Sequence, residues 1–197
     1  VKYILSIGGK RLRPVLLLLA NQMFSGKIEN AINQALGIEI FHNFTLLHDD
    51  IMDKSSMRRN QPTVHKKWNE NIAILSGDTM MFLANQLISA SDHKFLKQIL
   101  DLFNKTALEV CEGQQLDMDF EERHDVTVDE YLEMIKLKTS VLIASSLKMG
   151  AITAGANSED AENLYNFGLN IGLAFQLQDD LLDTYGDEKT FGKKIGN

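Results

Sequence analysis

Apolar residues return every third and fourth position along nearly the whole chain, and alternating apolar–polar runs are hard to find. Only two prolines, Pro14 and Pro62, occur. Helices with such stripes bury them against one another, so the expected fold is all-α, a helical bundle. Period and breakers place helices at about 14–24, 30–53, 69–90, 93–120, 127–154 and 158–185, with a polar, basic loop from the second helix to about residue 66. Thr127 and Glu130 have capping-box spacing, which supports one of these starts. At 197 residues and 44% hydrophobic the chain can bury a core. No linker, low-complexity tract or charge block divides it, so a single domain over residues 1–197 is expected.

Composition narrows the function classes. The longest strongly apolar run, 15–20, is far too short to cross a bilayer, and no charged-then-apolar leader precedes it. A soluble, cytoplasmic protein without stable membrane insertion is expected. One cysteine, Cys111, excludes an intramolecular disulfide framework and is expected to be a small buried hydrophobe. A net charge of −7 argues against a nucleic-acid binder, while 27 acidic residues suit a holder of cations.

The acidic residues are not evenly spread. "LLHDDIMD" puts Asp49, Asp50 and Asp53 on an otherwise apolar helix, where like charges at one and four residues' separation repel. At about 100° per residue they fall at roughly 0°, 100° and 40°, one carboxylate patch. "QLQDDLLD" repeats the device with Asp179, Asp180 and Asp183 near the end of the last helix. A single patch could be an acidic helix end in solvent. Two facing patches require cations between them, and hard oxygen ligands favour magnesium bridging to phosphate. A diphosphate substrate follows.

Cations mark complementary positions. In "GGKRLRP", Lys10, Arg11 and Arg13 crowd the helix start marked by Pro14, where the dipole favours anions. A bound phosphate would remove the conflict, although a solvated basic turn would look the same. Arg58 and Arg59 follow the first aspartate patch closely. His42, seven and eleven residues before Asp49 and Asp53, shares their helix face, and Gln176 shares that of Asp180 and Asp183. Lys138 and Thr139 interrupt an apolar stretch and could line a site, or the lysine could simply snorkel.

Taken together, "GGKRLRP", "HDDIMD" followed by "RRNQPT", "GQQLD", "KTS" and "FQLQDDLLD" followed by "GK" resemble the trans-isoprenyl diphosphate synthases, the polyprenyl synthetase family, of short-chain type, from Gly8 to Lys193. The resemblance implies an isoprenoid-synthase bundle with a central substrate cavity. It also implies a homodimer that condenses isopentenyl diphosphate with an allylic diphosphate. Asp49, Asp50, Asp53, Asp179, Asp180 and Asp183 would hold magnesium, three ions with substrate bound. Arg58, Lys138, Thr139, Gln176 and Lys193 would contact the allylic substrate, and Lys10, Arg13, His42 and Arg59 the diphosphate of isopentenyl diphosphate. Gln114 and Asp117 would support the metal site from behind. Family members usually extend beyond both ends of this sequence, so a chain incomplete at each end is expected.

Chain length is read from the helix below Asp49. The family tends to stop elongation with a bulky side chain five positions before the first aspartate, here Phe44, with Phe41 a turn lower and the smaller Thr45 above. Geranylgeranyl diphosphate is expected ahead of farnesyl diphosphate. Three rivals remain. A class I terpene cyclase usually mixes Asn, Ser or Thr and Glu in its second metal motif, which here is "DDLLD". A phosphohydrolase would rest on the His48-Asp49 pair, and a non-catalytic partner subunit usually has eroded aspartate motifs.

Overall fold

A computed structural model describes residues 1–25 and 27–185. Helix α1 (Lys2–Ser6) and α2 (Leu12–Ser25) flank the Gly8-Gly9 turn, and a 3₁₀ turn at Ile28–Ala31 leads into α3 (Ile32–Met52). After it come α4 (Val64–Lys67), α5 (Glu70–Ser89), α6 (His93–Glu121), α7 (Val128–Ile135), α8 (Val141–Thr153) and α9 (Ser158–Tyr185). The fold is all-α. Side-chain caps fix the starts: Asn69 accepts from the Ile72 amide at 2.9 Å, Asp92 from Lys94 at 3.0 Å, and Thr127 and Glu130 close the expected capping box. Helix α2 begins at Leu12, which places Pro14 third, where its missing N–H has no intrahelical partner to lose.

Besides α1 and α4, short helices that the sequence reading did not include, two segments depart from it. The loop after α3 folds into a hairpin pairing Met57 with Pro62 and Arg58 with Gln61. Arg59 and Asn60 turn it at φ of 51° and 60°, a type I′ geometry. Strands of two residues carry no readable alternation. The helix expected over 127–154 is interrupted: Lys136–Ser140 forms a π-helical turn between α7 and α8. Its apolar period continues on either side, so the sequence offers no break.

Helix α8 lies at the centre. Among Val141–Thr153 every residue except Lys148 is buried, as expected of a helix apolar all round. Glycines let its neighbours approach: a Cβ at Gly168 of α9 would stand 2.5 Å from the Ala144 Cα, and one at Gly150 would overlap the Leu17 carbonyl of α2. The main core joins these helices to α3 and α6 through Leu17, Ile38, Phe41, Phe103, Leu142 and Met149. A smaller core, Ile4, Leu47, Val64, Ala73 and Met80, ties α1, α4 and α5 to α3.

Helix α5 is long and apolar enough, by length and composition, to cross a membrane. Asp78, Thr79 and Asn85 break its apolar residues into short runs, which is why the sequence shows no long continuous apolar stretch there. Ala73, Gly77, Met80, Ala84 and Ile88 turn one face inward. Leu75 and Phe82 remain exposed, at 65% and 77%.

Candidate active site

A cavity of about 990 Å³ opens between α2, α3, the hairpin, α6, the π turn and α9. Asp49 and Asp179 line it together, so the two aspartate patches stand on one space. Each is held by polar partners from other elements.

At the end of α3, Arg58 Nε donates to Asp50 Oδ1 at 2.7 Å and its Nη2 to Asp49 Oδ2 at 3.2 Å. Lys138 Nζ lies 2.6 Å from Asp117 Oδ2 and 3.2 Å from Asp49 Oδ1. Asp50 is buried, and burial pushes its carboxyl up to about 6 despite the opposing Arg58 guanidinium. Burial and then the Asp49 charge also raise Asp53, which stays exposed. Burial disfavours the Lys138 ammonium, but Asp49 and Asp117 outweigh it and lift its pKa above the usual lysine value. This lysine is therefore an ion-pair partner rather than a snorkelling side chain.

The α9 patch is ordered by hydrogen bonds. Thr139 Oγ1 donates to Gln176 Oε1 at 3.0 Å, Gln176 Nε2 donates to Asp180 Oδ1 at 2.8 Å, and the Tyr131 hydroxyl donates to Asp180 Oδ2. Burial and the Asp180 partner raise the Tyr131 phenol above its ordinary value. Thus the π turn sends two successive side chains to opposite walls, Lys138 to the α3 patch and Thr139 to the α9 patch. The Asp183 side chain and Lys193 lie outside the described residues.

Among the described residues no three His, Cys, Asp or Glu groups converge tightly enough to hold a metal ion alone. The donors still suit magnesium, which takes one or two carboxylates and completes its shell with water and phosphate oxygens. Asp50 Oδ2 is a buried oxygen without a hydrogen-bond donor among the described residues, and Asp49 Oδ1 has only the Lys138 ammonium beside it, at 3.2 Å.

A further wall is cationic. Arg13 Nη1 approaches His42 Nε2 at 3.1 Å. Burial, reinforced by Arg13 and the neighbouring arginines, drives the His42 pKa well below 6.5, so the neutral ring accepts this bond. Burial also lowers Arg13 to about 10 against the pull of Glu39, and its Nε is buried without a hydrogen-bond partner. A buried guanidinium short of partners favours an anion beside it. Lys10 and Arg59 complete this wall.

Arg11, counted from the sequence with the phosphate cations, does other work. It pairs with Glu39 and donates to the Leu5 carbonyl at 2.7 Å, with its own backbone at φ 50°. Glu39 also accepts from Asn43 Nδ2 at 2.8 Å. Neither Glu39 nor Tyr131 was singled out in the sequence. Glu39 lies three residues before His42 on the same helix face, which could have found it; Tyr131 carried no signal.

The apolar part of the cavity holds two more differences. Phe44 and Thr45 line it, whereas Phe41 does not: it is buried behind Phe44, ring centres 5.6 Å apart, and packs on Phe103. Cys111 is exposed on α6 and borders the cavity instead of filling the core. Gln114 lines the cavity, and Asp117 stands behind it on Lys138.

The family model described as polyprenyl synthetase matches residues 1–197. A geranylgeranyl diphosphate synthase of Methanosarcina mazei is 46% identical over 100% of this chain and 61% of its own length. The crystal structure of a geranylgeranyl pyrophosphate synthase superposes with a TM-score of 0.95 at 55% identity, over 100% of this chain and 60% of that one. A geranyltransferase from Helicobacter pylori, solved with magnesium and isoprenyl diphosphate, gives 0.86 at 32% identity, covering 98% and 68%. The chain thus spans about three fifths of the length of the curated relatives it matches.

Proposed function

The chain belongs to the polyprenyl synthetase family, and from that membership we propose that it is a magnesium-dependent trans-prenyltransferase. It condenses isopentenyl diphosphate with an allylic diphosphate, acting as one isoprenoid-synthase domain. One observation carries this reading: a single cavity bounded by the two aspartate patches and, on a further wall, by Arg13 with its unpartnered Nε.

Asp49, Asp50, Asp53, Asp179, Asp180 and Asp183 would hold magnesium, three ions with substrate bound. When bound, magnesium supplies positive charge that stabilises the departing diphosphate. Arg58, Lys138, Thr139, Gln176 and Lys193 receive the allylic substrate. Arg58 and Lys138 add fixed positive charge where negative charge grows as the allylic carbon–oxygen bond breaks. The Gln176 carbonyl and Thr139 hydroxyl present dipoles to the allylic cation. Lys10, Arg13, His42 and Arg59 hold the other diphosphate, so that the isopentenyl double bond faces that cation. Carbon–carbon bond formation is followed by loss of a proton to the departing diphosphate, without a protein nucleophile.

The deciding experiment incubates the full protein with labelled isopentenyl diphosphate, an allylic diphosphate and magnesium, and sizes the products. Labelled prenyl diphosphates are expected; only unreacted substrate would overturn the reading. Arg13→Ala should raise the KM for isopentenyl diphosphate about tenfold or more, in line with the ~1.5–3 kcal/mol of a hydrogen bond to a charged group, and leave the allylic KM nearly unchanged. If only the allylic KM moved, the assignment of the two sites would be reversed.

The proposed product is geranylgeranyl diphosphate, with Phe44 closing the floor of the hydrocarbon channel and Thr45 leaving it open above. Phe41 acts only from behind, by holding the Phe44 ring. Phe44→Ala should lengthen the product distribution without altering magnesium dependence. Chromatography showing unchanged products in that variant would remove Phe44 from this role. A cytoplasmic homodimer completes the proposal; exposed Leu75 and Phe82 on α5 and Leu108 on α6 support an apolar contact between copies.

A further inference from the structure

Hairpins of two-residue strands are marginal in water unless packed against something else. This one carries Arg58 and Arg59 to the cavity, with Arg59 in the left-handed region at φ 51°. Its support comes from a segment more than fifty residues away. The Tyr3 hydroxyl of α1 donates to the Pro62 carbonyl at 2.7 Å, and the Tyr3 ring meets the Trp68 ring edge-on with centres 5.2 Å apart. Lys67 Nζ caps the pair, 3.9 Å from the Tyr3 ring centre. Beneath them Ile4 is buried among Leu47, Val64, Ala73 and Met80.

A second fastening lies on the cavity side. Arg59 donates to the Gly8 carbonyl, and its guanidinium fills the space above Gly9, where a Cβ would stand 2.6 Å from Nη1. Charge opposes this closure. After burial, Arg11 is the first charge to lower the Arg59 pKa, so the Gly8–Arg13 segment brings positive charge to the hairpin's arginine, offset in part by Glu39 and Asp50. Apolar and hydrogen-bonded contacts outside the cavity hold the two segments in place.

We infer that Tyr3 and Trp68 form a clasp that sets the distance between the Gly8–Arg13 segment and the Arg58-Arg59 hairpin, and so tunes affinity for one diphosphate group. Both are positioning residues: they face away from the reacting atoms and act through Arg59. The inference rests on the proposed assignment of Lys10, Arg13, His42 and Arg59 to the isopentenyl diphosphate. Arg58 rides on the same hairpin but is fastened separately, by Asp50 and Asp49, so the metal-held allylic group depends on the clasp less than the isopentenyl one does.

Tyr3→Phe removes one hydrogen bond and keeps the ring. It should raise the isopentenyl diphosphate KM about 2- to 10-fold, the range of a single hydrogen bond, with a smaller rise in the allylic KM and kcat unchanged. Tyr3→Ala should raise it further, and Tyr3→Phe should recover most of that difference. Trp68 is the chain's one tryptophan, which allows a readout independent of turnover. In the full chain with EDTA present, inorganic diphosphate should change Trp68 emission, and the concentration at half-change should rise in Tyr3→Phe. Prenyl transfer with neither KM nor emission titration altered by Tyr3→Phe would overturn the clasp, as would equal rises in both KM values, or Trp68 emission indifferent to diphosphate in the unaltered chain. A shifted titration in a protein that transfers no prenyl group would keep the clasp and overturn the proposed reaction.

Discussion

Replacing Asp49 or Asp179 with Ala should lower turnover on the order of 10²- to 10³-fold, the loss typical when one fixed electrostatic partner of developing charge is removed. Helical circular dichroism should persist, because both side chains face the cavity rather than the core. The two variants should differ in one respect. Asp49 neutralises Arg58 and Lys138, so its loss leaves those cations beside one another with Asp50 and Asp117 as their remaining partners. Among the described residues Asp179 pairs with no cation. Asp49→Ala should therefore weaken magnesium activation without weakening, and even while strengthening, retention of inorganic diphosphate; Asp179→Ala should weaken both. Turnover near that of the unaltered protein in both variants would defeat the assignment of the patches.

Gly113→Ala should be the most damaging small change away from the carboxylates. A Cβ there would stand 2.7 Å from the Leu137 carbonyl carbon and 2.8 Å from the Lys138 Cα, both backbone atoms of the π turn that cannot rotate aside. Overpacking of this kind costs about 1–3 kcal/mol, and the strain falls on the residue that joins Asp117 to Asp49. A lower melting temperature should accompany a fall in kcat. Gly77→Ala offers the contrast: the three atoms nearest its new methyl belong to the His48 ring, a side chain rather than backbone. If Gly113→Ala melted and turned over like the unaltered chain, the close packing of α6 on the π turn would not govern Lys138.

How much of this was legible beforehand differs by scale. Apolar period and caps are local properties of a helix, and they gave the long elements nearly to their ends, including the Thr127–Glu130 box. The aspartate pairs were legible for the same reason: residues one and four apart share a helix face whatever the helix packs against. The cavity's cations were found as types, but their partners were not. Arg11 and Arg13 look alike in "GGKRLRP", yet one is spent on Glu39 and Leu5 while the other keeps a buried, unpartnered Nε.

Those distinctions depend on contacts between distant segments. No local pattern distinguishes Phe41 from Phe44, because which ring meets the cavity is set by where Phe103 of α6 arrives. The π turn is likewise a compromise between α7 and α8 that helical period cannot record, and only it sends Lys138 and Thr139 to opposite walls. The sequence by itself determined the helices, the family and the kinds of group on each face, since these follow from residue identity and spacing along a single helix. The tertiary structure decided which charges are paired, which are buried without a partner and which side chains meet the cavity, because each depends on the dielectric surroundings and neighbours that packing supplies.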